Sequence, residues 1–214
     1  RERLERWPAS IKRAPPQSWR RWEKGTAPPR ALTLCNTLTM GTLQASDLAL
    51  AWLTRGEYLG GLTQLTISSY GISERGVRSL VRARSLRQLV SLDMSQCRLG
   101  DQGVHMLSRA PMLATLESLT LEQVGLGLEG AQALATSRHL TRLRRLRLGS
   151  NRLEDGGVRA LASSECFEGL VHLSMPFASL GLLAGRALAE TARLGRLREL
   201  ELRGNRLGLQ GQLQ

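Results

Sequence analysis

Leucines recur in this chain every 27 residues, and that period limits what it can fold into more than any other feature. Leu62, Leu89, Leu116, Leu143, Leu170 and Leu197 open six rows. Three residues after each stand Leu65, Leu92, Leu119, Leu146, Leu173 and Leu200, and two further on Ile67, Met94, Leu121, Leu148, Met175 and Leu202. Five beyond those come Ile72, Leu99, Leu126, Leu153, Leu180 and Leu207. Extending the period backwards brings Cys35, Leu38, Met40, Leu43 and Ala45 into register as a weaker leading row. The second half of each unit repeats as well, with Gly76, Gly103, Gly130 and Gly157, shifted by one to Gly185, followed by Leu80, Leu107, Leu134, Leu161 and Leu188.

Each unit opens on a short alternating piece, such as Leu89, Leu92 and Met94, which reads as a strand. It continues in a segment such as Asp101 to Arg109, where Val104 and Leu107 face inwards, which reads as a helix. A unit of this size cannot bury its apolar face alone, so the rows must stack. Stacked strands lie about 4.8 Å apart and helices roughly 8–10 Å apart, which bends the stack with its strands on the concave side. The expected architecture is an α/β solenoid over residues 35–214, with rows starting at 35, 62, 89, 116, 143, 170 and 197. Hydrophobic residues make up 42% of the chain but aromatics only 4%, which suits a layered core of Leu, Val and Ala.

The pattern LxxLxLxxNxLxxxGxxxL is complete in Leu143, Leu146, Leu148, Asn151, Leu153, Gly157 and Leu161. Over residues 35–214 the chain resembles ribonuclease-inhibitor-like leucine-rich repeats. That resemblance implies a curved array with parallel strands inside and helices outside, and it is nearly silent about a partner. One column departs from it. The ninth position, where such repeats place Asn or Cys against turn backbone, reads Leu43, Tyr70, Cys97, Val124, Asn151, Ala178 and Asn205. An Asn ladder cannot run continuously, so turn backbone in the apolar rows needs other partners or water.

Residues 1–34 fall outside the rows and form a partly helical cap or linker. Ser18 suits a helix N-cap and Gly25 a stop, and Trp7, Trp19 and Trp22 suit a lid over the first row. A basic, aromatic arm for nucleic acid and a linker to an upstream domain are the alternatives. At the other end the strand around Glu199 to Arg203 runs into Gly208 and Gly211 with no helix after it. This predicts truncation at the C-terminus, or self-association through an open strand edge.

The formal net charge is +12, and of 30 basic residues only Lys12 and Lys24 are lysine. A G- and C-biased composition explains this as readily as attraction to an acidic partner does. Cys35, Cys97 and Cys166 have no paired spacing and no companion histidines, so neither disulfides nor a metal site is expected. Free thiols fit a reducing compartment, and a cytoplasmic location is expected. There is no signal-peptide pattern and no run of about 20 apolar residues, so no membrane partner is expected.

Functional residues should lie between the core leucines of the strands, on the concave face. The early rows are small and polar there, as in Thr37, Gln64, Ser91 and Ser118. The later rows carry Arg145, Arg147, His172, Phe177, Glu199, Glu201 and Arg203, and these form the candidate binding site for another protein. A solvated face with lateral ion pairs is the plainer alternative. On the outer face Arg55, Arg82 and Arg109 make a basic column, with Arg78, Arg159 and Arg186 in another, which makes nucleic acid or another polyanion the second candidate partner. His105, His139 and His172 fall in different rows, without a nucleophile or carboxylate at motif spacing. No enzyme activity and no cofactor are expected of this chain, although a catalytic neighbour in a larger protein would be compatible with it.

Overall fold

The structure is a computed structural model and describes residues 36–41, 45–55 and 59–208. The expectations for the 1–34 cap, Cys35, Leu43 and the segment after Gly208 lie outside these residues. Seven short strands form one parallel sheet in strictly sequential order. They are β1 (Thr37–Met40), β2 (Gln64–Ile67), β3 (Ser91–Asp93), β4 (Ser118–Thr120), β5 (Arg145–Arg147), β6 (His172–Ser174) and β7 (Glu199–Glu201). Between them run α1 (Asp47–Leu53), α2 (Glu74–Val81), α3 (Gly100–Ser108), α4 (Leu128–Ala135), α5 (Glu154–Ala162) and α6 (Leu182–Glu190). Each helix packs on the next. The fold is an α/β leucine-rich-repeat solenoid, with the sheet lining its concave face.

The pairing register follows the rows: Leu65 lies beside Leu92, then Leu119, Leu146, Leu173 and Leu200. Leu65 through Leu173 are at most 1% exposed, whereas Leu200, on the edge strand, is 45% exposed. The exposure of Leu200 marks the side of the sheet on which β7 has no further strand among the described residues. The glycine column reflects close approach between helices. A Cβ on Gly130 would meet the Leu126 side chain and come within 2.6 Å of the Asp101 carboxylate.

The turns after the strands obey a second, longer period. Asn151 is 4% exposed. Its Oδ1 accepts from the amides of Val124 and Leu126, both at 3.1 Å, and its Nδ2 donates to the Leu121 carbonyl at 2.7 Å. Asn205 repeats this on Ala178, Leu180 and Met175. Cys97 donates its thiol to the Ile67 carbonyl at 3.4 Å. Burial pushes that thiol up to about 11, so it keeps the proton this bond needs. The apolar rows at Tyr70, Val124 and Ala178 are therefore served by the polar residue of the following row.

Alternate rows also reach forwards, those of Cys97 and Asn151 among them. Asp47 accepts from the Ser73 amide at 2.8 Å, Asp101 from Gly127 at 2.7 Å and Gly130 at 3.0 Å, and Asp155 from Gly181 at 2.6 Å. Each carboxylate satisfies the free amides at the start of the next helix and complements its dipole. The structural unit is thus a pair of rows. One row carries the side chains that close the turn behind it and cap the helix ahead, and the other receives them.

Candidate functional site

Alternation along the strands sends Leu146 and Leu173 into the core and their neighbours outwards. Register places Arg145 beside His172 and then Glu199, and Arg147 beside Ser174 and then Glu201. The sheet face therefore runs from basic at β5 to acidic at β7. The His172 Nδ1 is 2.7 Å from Glu199 Oε2, while its Nε2 is buried without a partner among the described residues. Ser174 lies on this face by alternation yet is 1% exposed, because its hydroxyl donates to Glu201 Oε2 at 2.7 Å and it lies between flanking strands. Arg145 and Arg147 are exposed, and among the described residues neither is in an ion pair.

Phe177 lies in the turn that follows β6. Its φ is +52°, a left-handed conformation, and it shares that sign with Gln96, Gln123, Ser150 and Gly204 at the same place in other rows. A bulky residue is disfavoured there, at a cost of about 1–2 kcal/mol. The turn is nevertheless fixed, because the Phe177 amide donates to the Arg203 carbonyl at 2.9 Å and the Ser150 amide to the Pro176 carbonyl at 2.8 Å. The ring lies over Gly204, where a Cβ would collide with it, and remains 53% exposed. The Arg203 guanidinium carbon sits 5.5 Å from the ring centroid. Such a contact contributes about 0.5–1 kcal/mol at an exposed site.

The second row departs from this turn geometry. Ser69 is buried and donates to the Ala45 carbonyl at 2.8 Å, while Tyr70 is 48% exposed. Ser69 shares its place in the row with Gln96, Gln123, Ser150 and Phe177, none of which is buried. A small hydroxyl that can bond inside a turn, beside a tyrosine too large for it, is the signal that could have separated the two.

The strain at Phe177 makes a direct prediction. Phe177→Asn, a residue that tolerates the left-handed region, leaves stability within about 1 kcal/mol of the parent, or raises it, because relief of strain offsets the lost ring contacts. Chemical denaturation measures this, and a loss beyond about 2 kcal/mol would mean that the ring holds the turn together.

On the helix side, Arg55, Arg82 and Arg84 line a pocket of about 480 Å³ with Thr54, Ser79 and Ser85. Arg82 and Arg109 are the C-cap residues of α2 and α3, where a cation complements the helix dipole. That accounts for these members of the basic column without a polyanion. His105 and His139, from different rows, line one pocket of about 420 Å³ with Ser108 and Ser137. The Ser137 hydroxyl there is committed to the Ser108 carbonyl at 2.6 Å.

A family model described as Leucine Rich repeat matches residues 85–108 and 137–162. No curated protein matches the sequence. Among solved structures, an internalin from Listeria monocytogenes is similar over 85% of this chain and 46% of its own, at 18% identity and a TM-score of 0.53. The chain thus spans less than half of that internalin. A structure of a TLR13–ssRNA13 complex is similar over 86% of this chain and 31% of its own, at 15% identity and a TM-score of 0.41.

Proposed function

We propose that this leucine-rich-repeat protein is a scaffold that binds another protein through the concave face of its later rows. The observation that carries the reading is Phe177, a half-exposed aromatic held in a strained turn with Arg203 against its ring. Strained, exposed aromatics and arginines concentrate at recognition sites. Arg145 and Arg147 add positive charge on the strand beside β6, in no ion pair among the described residues, and Glu199 and Glu201 add acidic groups on the other side. The complete row at 143–161 favours a ribonuclease-inhibitor-like array, and the free thiols Cys97 and Cys166 suit a reducing compartment.

The test is affinity capture with the full chain, run beside a variant carrying Arg147→Ala and Phe177→Ala. Proteins retained by the parent should be lost from the variant, with at least a tenfold drop in affinity. Retention of the same proteins by both chains would remove this face from consideration. Capture of nucleic acid that vanishes steeply with salt would favour the polyanion reading.

A further inference from the structure

We infer that the turn at Phe177 receives an acidic segment of the partner protein, with an apolar or aromatic residue of that segment seated on the ring. This deepens the reading above and rests on it. The paired-row organisation supplies the reason. The polar rows place arginine directly after the Asn or Cys of the turn, at Arg98, Arg152 and Arg206, and the intervening rows have Gly71, Gly125 and Ser179 there. Phe177 belongs to an intervening row, so Arg152 flanks it on one side and Arg206 on the other. The backbones of these rows are linked, with the Ser150 amide donating to the Pro176 carbonyl and the Arg206 amide to the Leu180 carbonyl. The side chains of Arg152 and Arg206 are exposed and, among the described residues, without an ion pair.

Arg203 lies against the ring and Arg147 stands on β5 beside Ser174 of the same row, so the row of Phe177 is bordered by four exposed arginines. Among the described residues the neighbouring carboxylates form no ion pair with them: Glu199 is held by His172, Glu201 accepts from Ser174, and Glu154 is in none. Unpaired guanidiniums around an exposed ring favour carboxylates at the rim and an apolar group at the centre, with a planar fork suited to bidentate pairing. A peptide fits better than single-stranded nucleic acid, because one ring offers one stacking position, whereas base-stacking surfaces use successive aromatics.

The test is selection from a random 12-residue peptide library displayed on phage, against the full chain immobilised at moderate salt. An oligothymidylate strand is titrated in parallel. Enriched peptides should be rich in Asp and Glu around an aromatic or aliphatic residue. Their affinity should fall at least tenfold on R152E/R206E and on Phe177→Asn, with circular dichroism unchanged. Enrichment of basic or neutral peptides that still depend on Phe177 would overturn the acidic-segment inference and leave the protein-binding reading standing. Enrichment of acidic peptides indifferent to all three substitutions would also overturn it. No enriched peptide together with tight oligothymidylate binding would overturn both.

Discussion

Asn151→Ala lowers the stability of the chain by about 3–5 kcal/mol, the largest loss expected from any single polar substitution in the array. The side chain is buried and satisfies two amides, of Val124 and Leu126, as well as the Leu121, Leu148 and Gly149 carbonyls. Alanine leaves the Val124 and Leu126 amides without this acceptor in a turn that stacked rows close on both sides, whereas the Gly149 carbonyl keeps the Gln123 amide. A buried polar group left unpaired costs about 1–3 kcal/mol, and partial relaxation keeps the total below the sum. At roughly 2–4 °C per kcal/mol for a chain of this size, the melting midpoint falls by about 10 °C. Asn205→Ala, in the edge row and only half-buried, should cost less than half as much. Denaturant titration of the two variants checks this, and a loss under about 1 kcal/mol for Asn151→Ala would show that water replaces the side chain.

Asp101→Ala is expected to cost about 2–3 kcal/mol. Its carboxylate accepts from the Gly127 and Gly130 amides at the start of α4, and charge-assisted bonds to backbone amides contribute about 1.5–3 kcal/mol each before solvent is considered. Partial exposure of Asp101 brings the sum down. Asp101→Asn keeps an acceptor in place without the charge and should recover about half of the loss. The effect should be local, because an array of stacked rows is held by interactions between neighbours. Amide hydrogen exchange should therefore accelerate at Gly127 and Gly130 before it does in α1 or α6. Uniform loss of protection along all helices would contradict the row-to-row account.

Much of the fold was legible in the sequence because its physical cause is local and repeated. Leucines that must face one core recur at one spacing, and the strand and helix positions follow from it. The paired-row organisation was equally present, in Cys97, Asn151 and Asn205 and in Asp47, Asp101 and Asp155. It shows only when columns are read at every second row. Read at every row, the ninth column looks like a broken ladder, whereas the structure makes Cys97, Asn151 and Asn205 its alternate rungs. The candidate site was legible in its members but not in its relations. Alternation put Arg145, Arg147, His172, Glu199 and Glu201 on one face. It could not show that Glu201 buries Ser174, that Arg203 lies against Phe177, or that Phe177 occupies a left-handed turn. Those depend on backbone angles and side-chain reach, which residue spacing does not encode. Arg152 and Arg206 escaped for the same reason, since they lie in turns beyond the strands.

The measurement closest to the central claim is a hydrogen-exchange footprint of the chain bound to a captured protein or a selected peptide. Binding through the later concave face predicts slowed exchange at 145–152, 172–179 and 199–206, with α1 to α3 unchanged. Protection confined to α1 to α3, with those three segments exchanging as in the free chain, would contradict it.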